Sequence, residues 1–327
     1  MEKYIITFFV FIVSIFMTLI IENKMISFLQ KKAKQPIYQE GPSWHISKLG
    51  TPTMGGLAFL ISITVNLFLS SIVLLILKVN HREILSILIS LVFAVSNSAI
   101  GIIDDFTKLK RKENAGLSPF QKLGLQTVFA LLFLFARKFI LDDDTIINLF
   151  SLKLDLGIAY FPFMLILILG VINCANLTDG IDGLASGVAV TIGTAFLIIG
   201  YGASYCTPII SAAVVGGAIG FLFYNVNPAR IFMGDTGSLF LGALVVCLGF
   251  STNNPLLTVP LGIIYVIEGL SVIIQVLFFK MTKKRVFKMA PLHHHLEKCG
   301  LNENSICVIA VITTMIFSAA TYLLTRS

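Results

Sequence analysis

The stretch FLISITVNLFLSSIVLLIL, residues 59–77, is the clearest indication of the fold class of this chain. It contains no charged residue, and a helix needs about 20 apolar residues to cross a hydrocarbon core of about 30 Å. A transmembrane barrel would instead show alternating strands of about ten residues. The rest of the chain has the same character: 56% of its 327 residues are hydrophobic, 13% are charged, and the mean hydropathy is +0.91. The sequence therefore predicts an all-α polytopic integral membrane protein.

Ten apolar runs are predicted to be transmembrane helices, near residues 4–22, 52–77, 83–103, 120–140, 160–175, 184–200, 207–224, 238–252, 257–279 and 304–324. Ten spans place both termini on one side, and basic residues retained in the cytoplasm indicate which side that is. Of the 24 Lys and Arg residues, 17 follow odd-numbered spans, including Lys34 and Lys112. The sequence therefore predicts cytoplasmic odd-numbered loops, both termini outside, and one transmembrane domain over 1–327.

One outward loop differs from the other connections. In LDDDTIINLFSLKLDLGIAYF, residues 141–161, Leu152, Leu154 and Leu156 alternate with polar residues. A period of two is typical of a strand with one apolar face. The loop is predicted to form a short extracytoplasmic β-hairpin.

The net charge and the cysteines exclude other classes. The net charge of +7 fits membrane topology and an anionic lipid or substrate, because no aromatic and basic surface module for nucleic acid accompanies it. The five cysteines form no CxxC pair, so neither a disulfide framework nor a zinc knuckle is indicated. We expect no nucleic-acid partner.

Acidic and histidine residues recur at four places that this topology assigns to the cytoplasmic face. In chain order they are Asp104 with Asp105, Asp179 with Asp182, Asp235, and the consecutive histidines 293–295. The segments are distant in sequence but confined to one thin layer. We therefore expect them to converge on one site.

The acidic motifs also have structural interpretations. Asp104 and Asp105 suit a solvated helix end, although adjacent acids repel unless a cation lies between them. TDGIDG, residues 178–183, suits a tight turn. GDTGS, residues 234–238, suits a helix start that either caps itself through Asp235 or Thr236 or offers free N–H groups to a phosphate.

The histidine run APLHHHLE, residues 290–297, is internal and too short to be a tag. Consecutive side chains diverge by about 100° in a helix and alternate in a strand, so a three-histidine zinc site does not fit. Two interpretations remain: three solvated loop side chains, or partners for phosphate groups.

Five segments carry a resemblance to a known family. SKLGTPTMGG (47–56), IDDF (103–106), NLTDGIDGLASG (176–187), FMGDTGSLFLG (232–242) and APLHHHLE (290–297) resemble the signature segments of phospho-N-acetylmuramoyl-pentapeptide transferases. The paired aspartates are shared with the wider superfamily of polyprenyl-phosphate N-acetylhexosamine-1-phosphate transferases. TPTMGG together with PLHHH points to the muramoyl-pentapeptide branch.

The resemblance implies a membrane phosphosugar transfer. Phospho-MurNAc-pentapeptide would pass from UDP-MurNAc-pentapeptide to undecaprenyl phosphate, forming lipid I and UMP in peptidoglycan biosynthesis. The family uses Mg²⁺, works at the cytoplasmic face of the bacterial plasma membrane and is typically homodimeric. Because a lipid phosphate must approach a diphosphate, positioning and charge neutralisation are the main catalytic tasks.

The resemblance also implies roles for individual residues. The catalytic set is Asp104, Asp105, Asp235, His293 and His294. The Mg²⁺ ligands are Asp235 assisted by Asn173 or Asp105, oxygen donors that suit this hard cation. The substrate-binding set is Lys48, Thr53, Lys108, Asn176, Asp179, Gly180, Asp182, Asn225, Phe232, Ser238 and His295.

The resemblance assigns the uridine end of the donor to Lys48, Asn225, Asp182 and Phe232, and to the backbone near Gly180. Phe232 offers a face on which uracil can stack. Asp182 offers an acceptor for the uracil N3–H, and Lys48 a donor for a uracil carbonyl.

Three alternatives remain for the function. A polyprenyl-phosphate GlcNAc-1-phosphate transferase would share most of these motifs. A proton-coupled transporter is favoured by Glu268, an ionisable residue inside the ninth span, but no inverted repeat is visible in the sequence. A membrane zinc protease would need HExxH, which the sequence lacks.

Two reaction schemes fit the same residues. In one, Asp104 or Asp105 attacks the donor and forms a phosphosugar-enzyme intermediate. In the other, the lipid phosphate attacks directly. A phosphate monoester has its second pKa near 6, so the acceptor is already mostly dianionic at neutral pH. We therefore favour a single displacement in which a paired aspartate orients the acceptor and removes any remaining proton.

Overall fold

Helices make up most of the computed structural model, which describes residues 2–32, 48, 50–111, 116–149, 152–202 and 204–326. The helices are α1 (Glu2–Lys32), α2 (Gly56–Ile76), α3 (His81–Arg111), α4 (Pro119–Ile140), α5 (Tyr160–Thr178), α6 (Leu184–Gly200), α7 (Cys206–Asn225), α8 (Gly234–Ser251), α9 (Thr258–Leu261), α10 (Ile263–Thr282), α11 (Leu292–Lys298) and α12 (Glu303–Arg326). Lys34 and Lys112, which contributed to the topology prediction, lie outside the described residues.

The membrane-spanning character of the chain is confirmed. Within the described residues, nine helices are long and apolar enough to cross a membrane. The sixth predicted span, residues 184–200, corresponds to α6, which is apolar but has only 17 residues. The prediction of an all-α polytopic membrane protein is therefore correct, with one span shorter than the others.

Three predicted span boundaries were wrong. α1 continues ten residues beyond its predicted end at 22, and α3 continues from 103 to Arg111. The extension of α1 is amphipathic and buries Ile26 and Leu29, whereas the extension of α3 is mostly polar. An i, i+4 ion pair between Asp104 and Lys108 supports the second extension. The ninth predicted span is interrupted between α9 and α10 at Gly262, whose backbone has φ −94° and ψ +29° and so departs from helical geometry.

The predicted hairpin is present between α4 and α5. Strand β1 (Ile146–Leu149) pairs antiparallel with β2 (Leu152–Asp155), and Ile147 lies opposite Leu154. Residues 150 and 151 of its turn lie outside the described part of the chain.

Helices α7 and α8 form the centre of the bundle and are the most deeply buried of the described spans. α8 packs against α2, α3, α5, α6 and α7, while α1 lies along α7. Helices α2 and α8 come into close backbone contact because glycines stand where they cross: a Cβ on Gly56 of α2 would overlap the backbone of Gly237 on α8. The first turn of α8 is therefore surrounded by other helices, and Asp235 lies in that turn.

Candidate active site

The site is built where α3 crosses the beginning of α8. A Cβ on Gly101 of α3 would overlap the carbonyl of Asp235, so only glycine permits this approach. The Ser98 hydroxyl donates to the Thr236 carbonyl at 2.8 Å. Asp105 lies four residues after Gly101 on the same face of α3 and is therefore directed at the start of α8.

Asp105 caps α8 from the neighbouring helix. Its carboxylate accepts the backbone N–H of Asp235 at 3.2 Å, and the N–H and hydroxyl of Thr236 at 2.9 and 2.7 Å. α8 has no side-chain cap of its own at Met233, so the prediction of self-capping by Asp235 or Thr236 was wrong. A carboxylate at a helix N-terminus is favourable, and it takes up the N–H groups that the sequence offered to a phosphate.

Asp104 and Asp235 share two lysines. Lys108 Nζ lies 2.6 Å from Asp104 Oδ2 and 3.1 Å from Asp235 Oδ2. Lys122 Nζ, from α4, lies 3.1 Å from Asp104 Oδ2 and 2.5 Å from Asp235 Oδ2. Lys122 is one of the 17 basic residues counted for the topology prediction and belongs to none of the five motif segments, so its place in the site is a new finding. Its sole sequence signal was a lysine in the first turn of a predicted span.

The first turn of α8 also meets the end of α5. The Asn176 amide donates to Asp235 Oδ1 at 2.9 Å and to the Ser238 hydroxyl at 2.7 Å. One turn earlier, the Asn173 amide donates to Gln126 at 2.9 Å and to the Leu169 carbonyl at 2.8 Å. The contact with Asp235 is thus made by Asn176, whereas the Asn173 nitrogen is directed at α4.

Asp104, Asp105 and Asp235 form a group of oxygen ligands. One carboxylate oxygen from each lies within 4.8 Å of the others, and Asp104 and Asp105 are buried. Carboxylate oxygens are the ligands that a hard divalent cation prefers. The group therefore fits a metal ion, and in the structure the charge is offset by the two lysines.

Thr53 and Asp179 border this group. Gly234 has φ +72°, and a Cβ there would lie 2.9 Å from Thr53 Oγ1 and 2.7 Å from Asp105 Oδ2. Asp179 follows the last residue of α5. Burial raises the pKa of Asp179 well above its ordinary value, and the nearby carboxylates of Asp235, Asp105 and Asp182 raise it further.

A second charged group lies beside the first. Lys48 Nζ is 2.6 Å from Asp182 Oδ1 and 2.7 Å from the Glu303 carboxylate, and it lies 6.0 Å from the centroid of the Phe232 ring. The structure therefore brings together three residues that the resemblance assigned to uridine. Glu303, which begins α12, was missed because an acidic residue in the first turn of a helix is an ordinary feature.

Asn225 and the 227–229 segment support this second group. Asn225 accepts the Gly183 N–H at 3.1 Å and donates to the Ile231 carbonyl at 3.0 Å. Asp182 Oδ2 accepts the Asn227 amide at 3.1 Å and the Ala229 N–H at 2.9 Å. Through these two hydrogen bonds, the buried Asn225 side chain links the turn after Asp182 to the backbone beside Phe232.

The three histidines lie on the short helix α11 and point in different directions. His293 is fully buried. Its backbone N–H donates to the Glu268 carboxylate at 3.2 Å, and its ring Nδ1 lies 3.2 Å from Glu268 Oε2. Its Nε2 faces Gly180, where a Cβ would overlap the ring. The loop after α10 therefore folds back into the bundle, and Glu268, which favoured a transporter, is a partner of His293.

The other two histidines have separate partners. His294 Nδ1 lies 2.6 Å from Glu297 Oε2, and its ring packs edge-on against His293 with centroids 4.2 Å apart. His295 Nδ1 accepts the Lys288 N–H at 3.1 Å, and its ring lies against Phe287. The divergence expected for consecutive residues is therefore observed.

Two family models match the chain. The glycosyl transferase family 4 model matches residues 84–253, which include the α3–α8 junction. The phospho-N-acetylmuramoyl-pentapeptide-transferase signature 1 matches residues 48–60, which include Lys48 and Thr53.

Curated relatives extend this similarity over most of the chain. A phospho-N-acetylmuramoyl-pentapeptide-transferase of Desulforamulus reducens is 43% identical over 312 residues, 94% of this chain and 92% of its own length. The proteins of that name from Halalkalibacterium halodurans and Clostridium botulinum are each 41% identical, over 94% and 87% of this chain and 94% and 86% of their own lengths. By sequence and by the site that its helices assemble, the chain belongs to the phospho-N-acetylmuramoyl-pentapeptide-transferase family.

Proposed function

We propose that this chain transfers phospho-MurNAc-pentapeptide from UDP-MurNAc-pentapeptide to undecaprenyl phosphate, forming lipid I and releasing UMP. The observation that carries the proposal is a pair of lysines, Lys108 and Lys122, that both contact Asp104 and Asp235. These two aspartates and Asp105 form the cluster of three carboxylates. A site with both cations and cation ligands suits the meeting of a phosphate with a diphosphate.

Asp235, Asp104 and Asp105 are the residues that would hold Mg²⁺, and Asn173 is retained as a further oxygen ligand. When bound, the ion supplies neutralising charge for the phosphates. Asp235 is the leading ligand, because its Oδ2 is contacted by the two lysines that substrate phosphates would draw away, whereas both Asp105 oxygens accept hydrogen bonds that cap α8. Asp105 then acts mainly by fixing the first turn of α8, and with it the position of Asp235.

The remaining roles follow from position. Lys108 and Lys122 would transfer their contacts from carboxylates to substrate phosphates, and Asp104 would orient the lipid phosphate. Lys48, Asp182 and Phe232 would bind the uridine, while Asn225 supports their loop. His293, whose ring faces Gly180, and its neighbour His294 would contact donor phosphates. Support of the binding site is assigned to Thr53, Asn176, Ser238 and His295.

The proposed orientation places this end of the bundle in the cytoplasm of a bacterial plasma membrane. The 17 basic residues on the predicted cytoplasmic side support it. A homodimer is also proposed, from the family resemblance. Labelling of single cysteines from each side of the membrane tests the orientation.

The function is tested with purified full-length protein, undecaprenyl phosphate and Mg²⁺, with either UDP-MurNAc-pentapeptide or UDP-GlcNAc as donor. We expect UMP and a lipid-linked product from the MurNAc-pentapeptide donor. A lipid product from UDP-GlcNAc alone would assign the chain to the other superfamily branch. Absence of UMP with both donors would refute phosphosugar transfer.

We predict that the reaction is a single displacement. In the structure both Asp105 oxygens accept hydrogen bonds from the start of α8, and Asp104 Oδ1 accepts the Leu117 backbone N–H at 2.7 Å. These contacts do not depend on the two lysines, and they leave both carboxylates poorly placed to act as nucleophiles. With lipid-free enzyme and Mg²⁺, labelled UMP should not enter UDP-MurNAc-pentapeptide. Exchange at a rate near that of turnover, lost in Asp104→Asn or Asp105→Asn, would establish the covalent route instead.

A further inference from the structure

Two side chains in the first two turns of α12 form hydrogen bonds with the backbone N–H and the backbone carbonyl of Asp182. Glu303 Oε2 accepts the Asp182 N–H at 2.9 Å, and the Cys307 thiol, one turn later, donates to the Asp182 carbonyl at 3.2 Å. The same Glu303 carboxylate lies 2.7 Å from Lys48 Nζ. The last transmembrane helix is thereby joined to two residues from distant parts of the chain.

Glu303 and Asp182 share the charge of Lys48. A carboxylate has about four acceptor positions, and Asp182 uses three of them, for Lys48, Asn227 and Ala229. Lys48 has three donors, and Asp182 and Glu303 take two. Counting partners among the described residues, one acceptor on Asp182 and one donor on Lys48 remain, which match the N3–H and a carbonyl of a uracil ring.

We infer that Glu303 is a positioning residue for the donor nucleotide, because its carboxylate orients Lys48 and Asp182 so that these remaining groups can face the base. This inference rests on the proposed function, in which Lys48 and Asp182 bind uridine. Glu303 lies outside the residues that either family model matches. The Glu303 side chain is only 12% exposed, so water does not readily replace its contacts with Lys48 and the Asp182 N–H.

A positioning role makes a specific kinetic prediction. Glu303→Ala leaves Lys48 held by Asp182 and removes the acceptor of the Asp182 N–H. Charge-assisted hydrogen bonds of this kind correspond to a loss of roughly tenfold to a hundredfold, which we expect as a rise in KM for UDP-MurNAc-pentapeptide. The kcat and the KM for undecaprenyl phosphate should change by less than about threefold, since Glu303 acts on the residues that bind the base.

Two further variants isolate the cause. Glu303→Gln keeps an acceptor for the Asp182 N–H but removes the charge facing Lys48, so its donor KM should lie between those of wild type and Glu303→Ala. Asn304→Ala changes an exposed residue on the same turn and should match wild type. Binding of UMP to each purified full-length protein, measured by calorimetry, should follow the same order.

The outcomes separate this inference from the proposed function. If wild-type protein releases no UMP with either donor, the proposed function fails first. If wild type is active and Glu303→Ala keeps the wild-type donor KM, or loses only kcat, the positioning role is overturned. If Glu303→Ala does not fold, Glu303→Gln decides: weaker UMP binding than in Asn304→Ala supports the inference, and equal binding overturns it.

Discussion

Asp235→Asn is expected to abolish turnover at every Mg²⁺ concentration while the helix bundle stays folded. The Asp235 carboxylate accepts hydrogen bonds from Lys122, Lys108 and Asn176 and belongs to the three-carboxylate group. Asparagine keeps the shape but removes the negative charge that would attract the metal and hold both lysines. We expect a loss of roughly a thousandfold or more, the upper end of what a single electrostatic group contributes in a catalytic site.

UMP release across a Mg²⁺ titration measures this effect, and Mn²⁺ binding followed by electron paramagnetic resonance reports on the metal site independently of turnover. Asp142→Asn is a matched control, because Asp142 is exposed, lies in the loop after α4, and already has a positive φ that asparagine tolerates. Recovery of Asp235→Asn activity at high Mg²⁺ would show that Asp235 is not an essential ligand.

Lys122→Met should lower kcat/KM by roughly a hundredfold to a thousandfold. Lys122 is one of two lysines that contact both Asp104 and Asp235 in the described part of the chain, and the proposal assigns it to substrate phosphate during the reaction. Methionine retains much of the apolar stem and removes the charge. The fold should survive, since Lys108 still contacts both carboxylates.

The measurement is the rate of UMP release at saturating and limiting concentrations of each substrate, with thermal unfolding as a check on the fold. Lys110→Met removes an exposed lysine from the nearby end of α3 and should leave the rate unchanged. If the two variants behave alike, Lys122 serves only to balance charge in the free protein.

The membrane class, the helix-rich fold, the hairpin and the approximate site all follow from the amino-acid sequence. They depend on local features: an uncharged apolar run must be buried in lipid, and a period of two or 3.6 is set by the backbone. The motif resemblance likewise singled out Asp104, Asp105, Asp235 and the histidines from short segments of neighbouring residues. Features of this kind involve residues close together in the chain and can therefore be recognised from the sequence alone.

Which of these residues meet depends on the tertiary structure. Gly101 permits α3 to approach α8 so closely that Asp105 caps that helix, and this removed the two interpretations of GDTGS that the sequence offered. Lys122 and Glu303 joined the site although neither belongs to the recognised motifs, because α4 and α12 pack beside it. Contacts between residues more than a hundred positions apart depend on how the helices pack, and helix packing is a property of the whole bundle rather than of any local pattern.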